Sequence, residues 1–126
     1  MRKIDDFTDL IIWQKADLLF DMIVEDSKKW PNNRVVWIIA DQVIRSISSI
    51  SANIAEGYGC GSKNEYIYHL MVARKENSES MNWLIKIKKI NLISETRFKE
   101  YKNLSDELRK MFNSIISKLR SRPSLP

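Results

Sequence analysis

Cysteine and histidine occur once each in this chain, as Cys60 and His69. No internal disulfide can form, and a zinc site of the usual His/Cys kind needs three or four such ligands. A lone cysteine fits a reducing compartment, so a cytoplasmic location is expected. Glycine and proline are also scarce, three of each in 126 residues, and all three glycines (Gly57, Gly59, Gly61) fall within five positions. Sandwiches and barrels need many turns, and the residues that make turns are missing. An all-α fold is what remains. The opening stretch, MRKIDDFTDL, has no apolar signal core. The longest unbroken apolar run is Val35–Ala40, far short of the roughly 20 residues a membrane span requires. No membrane association and no cofactor are expected.

What is present is 44% apolar and 29% charged residues, the balance of a globular chain long enough for one domain. The net charge of +5 is unevenly spread. Residues 1–60 carry 7 Lys/Arg against 9 Asp/Glu, and residues 61–126 carry 14 against 7. The positive surplus lies entirely in the second half, which points to an anionic partner there.

Helical periodicity marks four segments. In the first, residues 9–29, Ile12, Ala16, Leu19 and Ile23 keep one face, with Thr8 or Asp9 as cap. Trp30-Pro31 closes it, because the residue before proline is pushed out of the helical region. The second, 33–56, carries Val36, Ile39, Val43, Ile47, Ile50 and Ile54 at steps of three and four, and Gly57 offers a left-handed end. Ser62 to Glu65 reads as a capping box for the third helix, 63–91. Its stripe is Tyr66, Leu70, Ala73, Asn77, Ser80, Leu84 and Ile87. Ser94 caps the fourth, 95–119, with Leu104, Leu108, Met111, Ile115 and Leu119 inward, and residues 121–126 form a frayed tail. Short connections make neighbours antiparallel, so the expected architecture is an up-down-up-down four-helix bundle.

Such a bundle has more apolar surface than it can hide. The first helix is apolar over a broad arc that includes Leu10, Ile11, Trp13, Leu18 and Phe20, and the second adds Trp37, Ile38 and Ile44. Helices apolar on so wide an arc need cover on both sides, which self-association supplies. A homo-oligomer is expected.

Few residues invite chemistry. The glycine stretch before Ser62-Lys63 lacks the phosphate-loop spacing and follows a helix rather than a strand. Arg45, Ser49, Asn53 and Glu56 form a polar line on the second helix, open to reading as a ligand site, an interhelical network or a solvated stripe. No second carboxylate is spaced to work with Glu56, so no acid–base enzyme is expected. In the third helix Lys75 and Glu79 are spaced for an ion pair, and Arg74 and Ser78 could reach the polar line of the second. His69 and Cys60 lie in no catalytic motif. The basic residues Lys86, Lys88, Lys89, Lys99, Lys102, Arg109 and Arg120 recur near helical steps and could track phosphates, giving affinity without base specificity.

Three segments resemble one family. DLIIWQKA (Asp9–Ala16, with Trp13), QVIRSISSISANIAEGYG (Gln42–Gly59) and ARKENSESMNWL (Ala73–Leu84) are similar to the four-helix bundle proteins encoded in intervening sequences of bacterial 23S rRNA genes. These are related to the accessory protein of diversity-generating retroelements. The NIAEG stretch, Asn53–Gly57, is the most specific part. Ser51 stands where the family usually has proline, and Cys60 where a basic residue is common. The resemblance implies a ring-like homopentamer, basic, non-enzymatic and in contact with RNA or DNA. The retroelement relatives imply an alternative, a protein–protein adaptor for a reverse transcriptase.

Overall fold

The computed structural model describes residues 3–122. Among them are four α-helices and no strand: α1 (Ile11–Ser27), α2 (Arg34–Gly59), α3 (Lys63–Lys89) and α4 (Glu95–Ser121), after one 3-10 turn over Phe7–Asp9. Loops of six, three and five residues join the helices, too short for anything but a reversal. Bonded pairs across the helices run in opposite order. Ser46 meets Ser80 and Asn53 meets His69 between α2 and α3. Asn77 meets Ser105 and Arg74 meets Asn113 between α3 and α4. Lys15 meets Glu107 and Asp26 meets Arg97 between α4 and α1. Each helix touches its two neighbours and neither diagonal is bridged, so the four enclose one core.

Capping explains where the helices begin. Asn33 accepts the Val36 N–H at 3.1 Å, and Ser94 accepts that of Arg97 at 3.0 Å. Ser62 accepts from Glu65 N–H, but the Glu65 carboxylate faces the Cys60 thiol and raises its pKa instead of closing the expected box. At the amino end the cap is Asp6 rather than Thr8 or Asp9. Asp6 and Asp9 close a reciprocal capping box around the 3-10 turn, and α1 follows from Leu10 without a side-chain cap. The end of α3 comes two residues earlier than expected, at Lys89. There Asn91 takes φ +62°, and the N–H groups of Asn91 and Leu92 bond back to Lys88 and Ile87. The end of α4 comes later, at Ser121; residues 123–126 of the expected frayed tail lie outside the described residues.

The expected stripes of α1, α2 and α3 are buried or half-buried. On α4 the seam is displaced: Tyr101, Leu104, Leu108, Phe112 and Ile116 are buried, while Met111, Ile115 and Leu119 are half-buried. The cause is length. The Lys15–Glu107 pair shows the first turns of α1 beside the middle of α4, so α1, with 17 residues against 27, does not reach the last turns of α4. By length and composition α2 could cross a membrane, but here its stripe Val43, Ile47, Ile50 and Ile54 is fully enclosed by the bundle.

Gly57 does not end α2. The helix runs through it to Gly59, and the left-handed glycine is Gly61, at φ +74°. Gly57 is buried where α2 and α3 cross, and a Cβ there would stand 2.7 Å from His69 Cβ and 3.0 Å from Tyr66 Cδ1. His69 Cβ is fixed to its backbone, so the helices themselves would have to part. Gly59 has open space around the same position. Gly57→Ala should therefore destabilise by about 1–3 kcal/mol, the usual cost of overpacking. Gly59→Ala should be neutral or gain up to about 1 kcal/mol in helix propensity. Urea midpoints of the two variants measure the difference, and equal midpoints would refute the close-approach role of Gly57.

Candidate nucleic-acid interface

The outward faces of α3 and α4 depend on how α4 is seated. Two buried polar clamps seat it. On the α1 side, the Arg97 guanidinium grips the Asp26 carboxylate in a fork, Nε to Oδ2 at 2.9 Å and Nη2 to Oδ1 at 3.1 Å. Tyr101 donates its hydroxyl to the same Oδ2 at 2.6 Å, and Arg97 lies over the Tyr101 ring at 5.4 Å. Burial pushes the Tyr101 phenol well above its ordinary value, helped by its bond to Asp26 and that group's charge. The bond to Asp26 likewise raises Arg97, so the guanidinium stays charged. On the α3 side, Asn77 Nδ2 donates to the Ser105 carbonyl and Ser105 Oγ donates to Asn77 Oδ1, both at 3.0 Å.

With α4 so fixed, Lys99, Lys102, Arg109 and Arg120 all point to solvent. Lys102, Arg109 and Arg120 are seven and eleven residues apart, which places them on one line of the helix. At 1.5 Å per residue the line is about 27 Å long. Lys86 and Lys89 are exposed near the end of α3, beside the start of α4. Lys88 differs: its ammonium is 2.7 Å from Glu95 and 4.7 Å from the Phe98 ring centre, and that bond lowers the pKa of Glu95. Lys102 is paired with Asp106 at 3.1 Å. Arg109, Arg120 and Arg74 have no carboxylate within 4 Å among the described residues. The seven basic candidates thus do not converge. Five crowd the junction of α3 and α4, Arg109 sits midway, and Arg120 stands at the far end beside Arg74.

Arg74 faces α4, bonding Asn113 Oδ1 at 3.0 Å, and does not reach the polar line of α2. Ser78 bonds back to the Arg74 carbonyl. No Lys75–Glu79 ion pair forms among the described residues. Three members of the α2 line form an interhelical network: Asn53 Nδ2 donates to the Ser49 carbonyl at 2.8 Å, and Asn53 Oδ1 lies 3.2 Å from His69 Nδ1. Glu56 is 3.8 Å from the same nitrogen. Arg45 stands apart, exposed and paired with Asp41. Trp13 is half-buried against the core, with the Phe7 ring edge-on at 5.5 Å.

The strongest polar feature, Asp26–Arg97–Tyr101, escapes a search for surface charge. Its signal was an acid on an apolar stripe: Ile12, Ala16, Leu19, Ile23 and Asp26 follow steps of four and three. A carboxylate in that place needs a partner, and Arg97 and Tyr101 extend the α4 stripe back from Leu104 by the same steps.

An all-α, antiparallel four-helix bundle is the class of protein these features define. The sequence model for the 23S rRNA-intervening sequence protein family matches residues 8–114, and the chain belongs to that family. A similar solved structure, a protein with unknown function from the S23 ribosomal protein family of Bacteroides thetaiotaomicron VPI-5482, is 29% identical. It superposes with a TM-score of 0.77 over 84% of this chain and 98% of its own. No curated protein matches the chain.

Replacing Arg97 by Met should destabilise by about 3–5 kcal/mol, because it strands the buried Asp26 charge. Tyr101→Phe should cost about 1.5–3 kcal/mol, one hydrogen bond to a charged acceptor. Since folding raises the Tyr101 pKa, its contribution is complete below the unfolded phenol value of about 10 and is lost as pH climbs above it. Denaturant titrations from pH 8 to 11.5 should show wild-type stability falling at the alkaline end and Tyr101→Phe falling less steeply. Parallel curves would contradict a buried phenol.

Proposed function

We propose that this chain is a non-catalytic, self-associating, cytoplasmic bundle that binds nucleic acid, RNA foremost, along the cationic faces of α3 and α4. The observation that carries the reading is the alignment of Lys102, Arg109 and Arg120 on one line of α4. Two of these three have no carboxylate partner among the described residues. Such a line meets a phosphate backbone without reading bases. The family's link to 23S rRNA genes agrees with an RNA ligand.

Self-association is supported by what the bundle leaves uncovered. At one end, the start of α2 exposes Val35 (62%), Trp37 (61%) and Ile38 (53%), and the antiparallel end of α3 adds Ile85 and Ile90. On α1, Ile11 and Leu18 are exposed at a spacing of seven. This surface matches an interface between copies better than a solvated face. A homopentamer is the ring the resemblance implies, and a ring multiplies the cationic field by its subunit count.

The test is RNA retention across a salt series, with light scattering on the same samples. The logarithm of affinity should fall linearly with the logarithm of salt, by about 0.7 for each phosphate contacted in a single strand. Lys99→Glu/Lys102→Glu/Arg109→Glu should abolish retention while the oligomer persists. Trp37→Glu should shift the assembly toward monomers. Salt-independent or absent RNA binding would sink the nucleic-acid reading and leave the apolar surface to the adaptor role for a protein such as a reverse transcriptase. Monomers at micromolar concentration would sink the self-association.

A further inference from the structure

Between α3 and the last turns of α4 lies a shallow depression of about 480 Å³, lined by Arg74, Asn113, Ile116, Ser117, Arg120 and Ser121. Its polar groups are nearly all donors. Arg74 spends one N–H on Asn113 Oδ1 and keeps the rest of its fork. That bond takes the Asn113 oxygen and leaves its NH₂ to be used. The contact of Arg120 is Met71 Sδ at 3.3 Å, a weak acceptor. Ser117 makes no side-chain hydrogen bond among the described residues, whereas the Ser121 hydroxyl already donates to the Lys118 carbonyl. Among the described residues no acidic side chain lines the depression, and Ile116 beneath it is 2% exposed. Two guanidinium forks, an amide and a hydroxyl therefore stand around one depression with an apolar floor and no carboxylate among its described lining residues.

We infer that this depression is a phosphate-binding site, in which Arg74 from α3 and Arg120 from α4 hold one phosphodiester of a nucleic-acid strand laid along the α3–α4 groove. Forked donors match the paired oxygens of phosphate, and a charged acceptor makes each bond roughly twice as strong as a neutral one. Asn113 and Ser117 are four apart and supply the remaining donors from one face of α4. Arg109 continues the same line about 16 Å from Arg120, and Lys102 about 10 Å further. The clamp deepens the nucleic-acid reading by giving it one point of specific geometry in an otherwise diffuse field. Because its two arginines come from different helices, it exists only in the folded bundle.

The experiment compares two double variants that each remove two positive charges from the full chain. Arg74→Gln/Arg120→Gln empties the site, and Lys28→Gln/Lys29→Gln removes exposed charge at the far end of α1. At about 0.1 M salt the first should lose about tenfold or more in single-stranded RNA affinity, with a salt slope shallower by about one, and the second about threefold or less. Arg120→Gln alone, whose one side-chain hydrogen bond among the described residues is to Met71, gives the same direction if Arg74→Gln perturbs folding. Arg74→Lys keeps the charge but loses the fork, and should not restore wild-type affinity. Independently of RNA, inorganic pyrophosphate should shift the backbone amide NMR signals of Asn113, Ser117 and Arg120 in the wild type and leave those of the double variant unmoved. Equal losses in the two double variants would overturn the clamp and leave the diffuse cationic face standing. Pyrophosphate shifts without any RNA binding would keep the phosphate site but overturn its nucleic-acid occupant, and with it the proposed function. Polyglutamate bound as tightly as RNA would overturn phosphate as the ligand.

Discussion

The rotation of α4 about its own axis is the constraint on which the rest of this molecule depends. A helix turns by 100° per residue, so a slip of one position would swing Arg109 and Arg120 off their outward line. Apolar packing resists such a slip, because it would carry Leu104, Leu108, Phe112 and Ile116 out of the core and turn Asn103 and Glu107 toward it. The buried polar contacts resist it strongly. Arg97 and Tyr101 meet Asp26 on one flank, and Ser105 meets Asn77 on the other. Any other register leaves a carboxylate, an amide or a hydroxyl buried without a partner, at a cost of kilocalories per group.

The two sides of the bundle are built differently. Between α2 and α3 the fit is close: Gly57 lets the backbones approach, Ser46 and Ser80 are bonded at 3.0 Å, and Asn53 reaches His69. Between α1 and α4 the contact is thinner, since α1 is ten residues shorter and its first turns lie only as far along α4 as Glu107. The forked Asp26–Arg97 pair stands on that thinner side, where it adds directional strength to sparse apolar contact. The short α1 also leaves the Met111, Ile115 and Leu119 flank half-covered.

Charge and greasy surface are distributed according to the same geometry. Exposed apolar side chains stand at the start of α2 and the end of α3, with a second group, Tyr58, Tyr68 and Met71, at the opposite end of the same two helices, and among the described residues Arg109 and Arg120 on α4 have no carboxylate partner. The exchange of Met111 and Ile115 for Phe112 and Ile116 in the core shows how far periodicity reaches. It finds the apolar arc of a helix, but the middle of that arc is set by whichever neighbours are long enough to cover it.

Helix number, helix type, the caps at Ser62 and Ser94 and the antiparallel order followed from the sequence by itself. Each rests on interactions within a few residues: periodic apolar spacing, a hydroxyl or amide at a helix start, a loop too short to do anything but reverse. The family was legible for a similar reason, since its NIAEG stretch is local. Tertiary structure alone decided the partner of Asp26, the interior place of Gly57, the turn of Arg74 toward α4 and the separation of seven basic candidates into two ends and a midpoint. These depend on contacts between residues 9 to 75 positions apart, whose energies come from how helices of unequal length rotate and slide against one another. No local pattern contains that information.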